Sequence, residues 1–364
     1  MLVVLSGGGT AGHINPAIAT AEVLRDRGVE VQFAGRPVGN EREWVTAAGI
    51  PFTPFEAEGF HRGHPTTLVK GLAIDAKSTV LVKQWFEKIK PDAVIGFGGY
   101  VAIPVGRAAK QMGIPLIIHE QNSVMGWTNR YLSGKAKAVC LTYEHAKSGM
   151  KDASKAVLTG CPVRASVFST TREEGREALD IPADARMLLV TGGSNGARHL
   201  NQAMCALKDD LLAREDLYIM HVTGPKEYDS VAEALALSPE EQKRWRLVSY
   251  TNQMPACMAA CDAIVSRAGA SSLAEISARA IPALLVPFPF ATADHQTTNA
   301  RAYVEAGCAH MIADDQVETP EFARLVAELV DDADLRASMT AAARAQNTAN
   351  AAQAVADITM AAIA

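Results

Sequence analysis

Short apolar runs alternate with longer mixed stretches along the whole chain. Apolar strands separated by helical stretches are typical of parallel sheets covered by helices on both faces. We therefore predict an α/β protein built from doubly wound, Rossmann-like parallel sheets. In the first half the predicted strands are Leu2–Leu5, Val29–Ala34, Ala93–Phe97, Pro115–His119, Ala138–Leu141 and Ala156–Leu158. In the second half they are Met187–Thr191, Tyr218–Thr223, Arg246–Ser249, Ala263–Ser266, Ala283–Val286 and His310–Ile312.

The length of the chain favours two domains over one, because 364 residues with 48% hydrophobic content can fill two cores. The regular alternation pauses at residues 160–164, which form a plausible hinge. We therefore expect one domain over residues 1–163 and a second over residues 164–344. The last helix, at about residues 345–364, is expected to pack back on the first domain.

Composition excludes several classes of protein. A net charge of -5 gives no support for nucleic-acid binding, which needs a clustered basic face. No apolar run approaches the ~18 residues of a membrane span, and the apolar start at Leu2–Leu5 is too short for a signal peptide. The six cysteines lack metal-ligand spacing, so we expect reduced thiols in a cytoplasmic protein.

Two glycine loops, Ser6–His13 and Thr191–Arg198, each follow a predicted strand and open a helix. Helix N-termini suit phosphate groups, so both loops are candidate phosphate sites. The first matches a dinucleotide fingerprint, but the next strand ends at Arg36 without the carboxylate that NAD requires. An NADP site therefore remains an alternative. His13 is a candidate general base, or else a histidine that packs or caps the helix.

The second loop lacks the Lys-Ser/Thr ending of a P-loop, which disfavours ATP hydrolysis. Further along, residues 265–275 predict a strand, a glycine turn and a helix capped by Ser271 or Ser272. Glu275 on this helix suits the two hydroxyls of a ribose. It could equally be the capping-box partner of Ser272. The polar cluster at residues 294–299 is typical of a loop that reads sugar hydroxyls.

These second-half motifs resemble the nucleotide-sugar half of a GT-B glycosyltransferase. The segments Gly8–His13, Gly96–Val101, His119–Asn122 and Thr128–Asn129 narrow the resemblance to the family 28 enzymes of bacterial peptidoglycan synthesis. The resemblance runs from Leu2 to about Gly307 and implies two Rossmann-like domains facing across a cleft. It implies inverting transfer of N-acetylglucosamine from UDP-GlcNAc to the MurNAc 4-hydroxyl of undecaprenyl-pyrophosphoryl-MurNAc-pentapeptide, which converts lipid I to lipid II.

The resemblance also implies roles for individual residues. His13 is the first choice of general base and Glu120 the second, while Tyr100 and Asn122 are expected to bind the acceptor. Departures from relatives, such as Ala11 for glycine and Asn195 for glutamine, leave the donor geometry open. The expected donor-binding residues are Thr10, Gly12, Asn129, Arg164, Ser194, Asn195, Thr251, Ala270, Glu275, His295 and Gln296.

UDP-GlcNAc is a substrate in this interpretation, and we expect no cofactor or metal. Asp332 and Asp334 have the spacing of a metal-binding pair, but they are expected on a solvated C-terminal helix. The lipid acceptor implies a peripheral protein on the inner face of the plasma membrane. Lys70, Leu72 and Lys77 are candidate contacts to an anionic membrane surface, although the same stretch could simply pack on the sheet.

Three other functions remain open on the sequence alone. The chain could be a GT-B glycosyltransferase with another acceptor, a UDP-GlcNAc epimerase of related fold, or a non-catalytic nucleotide-sugar-binding scaffold. The intact set of polar residues in both halves favours a catalyst over the scaffold. Other cell-wall or division proteins are candidate partners.

Overall fold

The first half of the chain folds around a seven-stranded parallel sheet. The computed structural model describes residues 1–39, 41–58, 65–193, 196–345 and 350–364, with backbone only at 65–70, 72 and 292. The strand order is β3-β2-β1-β4-β5-β6-β7. The elements are β1 (Leu2–Ser6), α1 (Ala11–Asp26), β2 (Glu30–Gly35), α2 (Glu41–Ala47), β3 (Phe52–Pro54), α3 (Pro65–Ile89), β4 (Ala93–Gly96), α4 (Ala102–Gln111), β5 (Leu116–Glu120), α5 (Trp127–Ser133), β6 (Ala138–Leu141) and β7 (Ala156–Leu158).

The second half repeats the plan with six parallel strands in the order β10-β9-β8-β11-β12-β13. Its elements up to β10 are α6 (Ala165–Ser169), α7 (Arg172–Ala178), β8 (Arg186–Thr191), α8 (Arg198–Ala206), α9 (Lys208–Leu212), β9 (Leu217–Val222), α10 (Tyr228–Leu235), α11 (Pro239–Arg244) and β10 (Trp245–Val248). The rest are α12 (Met254–Ala260), β11 (Ala263–Ser266), α13 (Ala270–Ala278), β12 (Ala283–Leu285), α14 (His295–Glu305), β13 (Ala309–Met311), α15 (Pro320–Asp331) and α16 (Ala333–Ala345).

The chain forms two compact units, each with apolar clusters on both faces of its sheet. The predicted pair of doubly wound parallel-sheet domains is therefore confirmed. The first unit runs from Met1 to Arg164 and the second starts at Ala165. Arg164, which was expected to open the second domain, thus falls in the first unit.

The C-terminal helix, α17 (Ala351–Ile363), belongs to the first unit. Val355 and Ala356 are fully buried in the same apolar cluster as Val3 and Ile95. Two polar contacts also hold this helix to the first unit: Arg27 pairs with Asp357 at 2.6 Å, and Lys137 donates to the Ala362 carbonyl at 2.9 Å. The last helix therefore completes the core that the first residues of the chain begin.

All predicted strands are present with ends shifted by at most a few residues, but one strand was missed. β3 is a short edge strand that includes Pro54, and it pairs only with β2. Proline is tolerated there because an edge strand has backbone groups that need no partner. The six cysteines are free thiols, five of them buried, as expected.

Within the described ranges, no helix reaches the combination of length and hydropathy that a bilayer span requires. The longest helix, α3, buries Val82 and Phe86 against the sheet. Its other side exposes Lys77, Val80 and Leu81. The helix therefore packs on the sheet and still presents a mixed basic and apolar surface. The side chains of Lys70 and Leu72 lie outside the described residues.

Candidate active site

The first unit gathers its candidate residues on loops that follow β1, β4 and β5. These three strands are neighbours in the sheet and run parallel, so their carboxyl ends lie at one edge. Open α/β sheets bind ligands at this edge. His13 lies in the first turn of α1, Tyr100 follows β4, and Glu120 is the last residue of β5.

His13 is half-buried, and its ring is oriented by the first glycine loop. Its Nδ1 lies 2.8 Å from the carbonyl oxygen of Gly8. Because a carbonyl can only accept a hydrogen bond, Nδ1 carries the proton of the neutral ring. Nε2 is then the basic nitrogen, which is the arrangement that a general base needs.

The loop after β4 closes against the first glycine loop. Gly98 and Gly99 both have left-handed backbone conformations, with φ of 97° and 77°. A Cβ at Gly99 would collide with the Gly8 carbonyl oxygen, and a Cβ at Gly98 would lie 3.1 Å from His13 Nε2. The two glycines therefore allow the loops to touch and the imidazole to lie directly beside the second loop. Tyr100, next in the chain, is 41% exposed at this edge.

Glu120 is 1% exposed and holds the following loop together. One carboxylate oxygen accepts from the backbone and side-chain nitrogens of Asn122, at 3.0 and 3.3 Å. The other accepts from Gly126 N at 3.0 Å and Asn129 Nδ2 at 2.9 Å. Both oxygens are thus engaged by protein donors, so this geometry suits a positioning residue better than a base.

His119 is a buried residue to which the sequence assigned no role of its own. Its Nε2 lies 3.0 Å from the Gly160 carbonyl, at the start of the predicted hinge. Burial lowers the pKa of His119 to about 4, against the opposing effect of the Gly160 hydrogen bond. The ring is therefore neutral at physiological pH and links β5 to the segment that ends in Arg164.

In the second unit, the candidate loops follow β8 and β11, which are adjacent strands. Ser194 and Asn195 lie outside the described residues. Asn201 in α8 is fully buried and anchors the helix that follows the loop. It donates to the Thr223 carbonyl at 3.0 Å, and its amide oxygen lies 3.0 Å from His221 Nε2. Burial lowers the pKa of His221 to about 3, so this network is neutral.

Helix α13 starts at Ala270, with Gly269 as its N-cap and no side-chain cap. The prediction that Ser271 or Ser272 caps this helix is therefore wrong, since both lie inside its first turn. The first turn of a helix has N–H groups without helical partners and carries the positive end of the dipole, which favours an anion. Glu275 follows within the same helix and is half-buried.

Gln296 joins the β11 turn to the loop after β12. Its amide oxygen accepts the backbone N–H of Ala268 at 3.2 Å and of Phe288 at 2.9 Å. The oxygen is thereby engaged, and the NH2 group is the end suited to donate to a sugar oxygen. His295 is adjacent and half-buried. Ala293 and Asp294 just before it both have positive φ, which is a strained conformation of the kind found at ligand loops.

Thr251 lies in the segment between β10 and α12. Its hydroxyl accepts the backbone N–H of Gln253 at 3.0 Å, which shapes the turn. Tyr250 beside it is 51% exposed. The backbone here is thus held in a defined turn at the edge of the second sheet.

Sequence reasoning missed a buried ionic network in the second unit. Arg267 is 8% exposed, pairs with Asp314 at 2.5 Å and donates to the carbonyls of Val286 and Pro287 at 3.1 Å. The other oxygen of Asp314 lies 2.8 Å from His199 Nδ1. The network ties the segments after β11, β12 and β13 to α8. An arginine directly after an apolar strand was the available signal.

The residues that the structure describes include no group of three His, Cys, Asp or Glu side chains arranged to hold a metal ion. Asp332 was expected on a helix, but it precedes α16 and accepts the Leu335 N–H at 2.8 Å. It is thus bound as a helix cap.

Comparison with known proteins places both halves in one family. The chain matches the glycosyltransferase family 28 N-terminal domain over residues 3–141 and the glycosyltransferase family 28 C-terminal domain over residues 187–356. It is 37% identical over 337 residues, 91% of each chain, to the UDP-N-acetylglucosamine–N-acetylmuramyl-(pentapeptide) pyrophosphoryl-undecaprenol N-acetylglucosamine transferase of Halothermothrix orenii. The protein of the same name from Desulfitobacterium hafniense is 38% identical and covers 94% of each chain. The crystal structure of Acinetobacter baumannii MurG covers 99% of both chains with 29% identity and a TM-score of 0.74.

The four hydrogen bonds of Glu120 predict that Glu120→Gln destabilises the protein. An amide places an NH2 group against donors, so we expect a loss of about 3 kcal/mol in the free energy of unfolding. Urea unfolding measures it. Glu144→Gln, at an exposed glutamate, is the matched control and should change stability by less than about 0.5 kcal/mol. Equal stabilities of the two variants would show that Glu120 does not hold its loop.

Burial of His221 predicts a pH-dependent stability difference. The folded pKa of His221, about 3, lies below the ordinary 6.5. The stability that the neutral imidazole contributes is therefore fully present above pH 6.5 and is lost as the pH falls below that value. Relative to His221→Gln, the wild type should lose about 2 kcal/mol of stability between pH 6.5 and 5. Urea unfolding of both proteins at each pH measures the difference, and other titrating groups cancel. A difference between the wild type and His221→Gln that stays constant over this pH range would contradict the prediction.

Proposed function

Because this chain belongs to glycosyltransferase family 28, we propose that it transfers N-acetylglucosamine from UDP-GlcNAc to undecaprenyl-pyrophosphoryl-MurNAc-pentapeptide. The observation that carries the proposal is the match over nine-tenths of the chain to proteins named for this transfer. The reaction forms a β-1,4 bond to the MurNAc 4-hydroxyl, with inversion at the anomeric carbon and release of UDP. It converts lipid I to lipid II.

His13 is the proposed general base. The Gly8 carbonyl holds the proton on Nδ1, so Nε2 is the ring nitrogen that can accept the proton of the acceptor hydroxyl. Tyr100 and Asn122, on the loops after β4 and β5, are proposed to bind the acceptor. Glu120, the second-choice base on the sequence, is proposed to be a positioning residue instead, since it fixes the loop that carries Asn122.

Most of the proposed donor-binding residues belong to the second unit. The N-terminus of α13, beginning at Ala270, would stabilise the departing diphosphate by its fixed dipole. Ser194 and Asn195 are proposed to contact the same diphosphate. Glu275 would accept the ribose hydroxyls. The turn at Thr251 would read uracil, and the Gln296 NH2 group, with His295, would bind the sugar. Thr10, Gly12, Asn129 and Arg164 complete the proposed donor set. No metal or cofactor is required in this proposal.

We propose that the protein works in the cytoplasm, at the inner face of the plasma membrane, because its acceptor is a lipid. The exposed side of α3 supports this, since Lys77 lies on the same helix as the exposed Val80 and Leu81. Lysines meet anionic headgroups and apolar side chains enter the interface. Lys70 and Leu72 are proposed to extend the same contact. Other cell-wall proteins are further candidate partners.

Turnover tests the proposal directly. Purified protein with UDP-GlcNAc and a short-chain MurNAc-pentapeptide lipid, in the presence of EDTA, should release UDP and form a disaccharide.

His13→Ala should lower kcat by about 10²- to 10⁴-fold, which is the usual contribution of a general base to the rate, with little change in KM for UDP-GlcNAc. His145→Ala, at an exposed histidine, is the control and should keep full activity. Full turnover by His13→Ala would show that His13 is not the base. Binding of UDP-GlcNAc without formation of product would show that the proposed acceptor is wrong.

Membrane contact is tested by flotation with vesicles that contain phosphatidylglycerol. Lys77→Glu should lower the bound fraction about tenfold, because each lysine near an anionic surface contributes about 1 kcal/mol and reversal adds repulsion. Lys243→Glu, at another exposed lysine, in the second unit, is the control. Equal flotation of the two variants would place the membrane contact elsewhere.

A further inference from the structure

Glu41 is a buried carboxylate that none of the roles above uses. It is the first residue of α2 and is 2% exposed. Its Oε1 accepts the Gly9 N–H at 2.5 Å and the Arg36 Nε–H at 3.0 Å, and its Oε2 accepts the Arg36 backbone N–H at 2.9 Å. A charge buried this deeply persists only with such partners. The carboxylate is therefore fixed in place beneath the first glycine loop.

The peptide unit between Gly8 and Gly9 connects Glu41 to His13. Its N–H end donates to Glu41 Oε1 at 2.5 Å, and its carbonyl end, 2.8 Å away from His13 Nδ1, accepts the imidazole proton. The two ends of a trans peptide point in opposite directions, so one rigid plane carries both bonds. Hydrogen bonds in such a chain polarise one another, and a carboxylate at one end strengthens the carbonyl as an acceptor at the other.

Close packing constrains the position of this peptide. A Cβ at Gly8 would lie 2.6 Å from Glu41 Oε1, so the backbone is in direct contact with the carboxylate. Gly99 also packs closely on Gly8, since a Cβ at Gly99 would collide with the Gly8 carbonyl oxygen. The Gly9 N–H, which a phosphate-binding loop would offer to its ligand, is engaged by Glu41. The glycines of this loop therefore position the imidazole of His13.

We propose that Glu41 is the orienting carboxylate of His13 and acts through the Gly8–Gly9 peptide. A carboxylate that contacts the base directly holds its tautomer and stabilises the imidazolium that forms. Glu41 does the same across one peptide unit, and the two hydrogen bonds from Arg36 hold the carboxylate in position. Glu41 is a positioning residue, since it contacts neither substrate nor the imidazole itself. The inference rests on the proposed role of His13 as the base.

The tautomer of His13 tests the proposal without any substrate. Protein labelled with ¹⁵N-histidine is compared with His13→Gln, which assigns the signal, at a pH where the ring is neutral. The wild type should show the proton on Nδ1. Glu41→Ala should shift the population toward the Nε2–H form, and Glu41→Gln should give an intermediate shift, since it loses charge but keeps one oxygen. Glu43→Ala, at an exposed glutamate of the same helix, should leave the tautomer unchanged.

Kinetics supply the second readout. Glu41→Ala should lower kcat about 10- to 100-fold, the loss seen when a group that orients a metal-binding histidine is removed, with KM for UDP-GlcNAc within about twofold. If Glu41→Ala fails to fold, Glu41→Gln carries the test. An Nδ1–H tautomer that persists in a folded Glu41 variant overturns the proposal, even if His13→Ala is inactive. A shifted tautomer with a fully active His13→Ala would instead retain Glu41 as the orienting group and reject His13 as the base.

Discussion

Parallel pairing of three buried strands is the constraint on which the first half of the site depends. In the ladder, Ser6 lies opposite Gly96, and Gly96 lies opposite Ile118, so β1, β4 and β5 end at nearly the same height. Loops that are distant in sequence must therefore emerge side by side. The second unit repeats this with Thr191 opposite Ser266. The pairing of these mostly apolar strands thus decides which polar residues can meet.

Once the loops are side by side, buried polar side chains fix them by bonding to backbone. Glu41 and Glu120 accept backbone N–H groups in the first unit, and Gln296 accepts two in the second. Arg267 donates instead to two backbone carbonyls. Each of these residues holds a loop in the shape that a ligand would otherwise have to impose. Preorganisation of this kind lowers the reorganisation that accompanies charge development in a reaction.

Sequence patterns predicted the strands well, because a fully buried parallel strand consists of consecutive apolar residues. β3 escaped because its three residues include a proline and carry too little apolar signal. The role of Glu41 also escaped, since its contact with Gly9 spans 32 residues and no local spacing reports it. Asp314 also escaped as the partner of Arg267, because the position of the arginine after an apolar strand does not indicate which carboxylate it contacts. Periodicity reveals which face of an element is buried, whereas polar partners are chosen by the three-dimensional fold.

The return of α17 to the first unit makes the second unit an insertion within the first. Val355 and Ala356 lie in the same apolar cluster as Val3. The core around the first strand is therefore complete only after the last helix has packed against it. On a ribosome, the inserted unit emerges entirely before that helix does. The half that carries His13 can therefore reach its final packing only after the other half has been synthesised. A chain truncated before the last helix would leave the apolar core of the first unit exposed to chaperones and proteases.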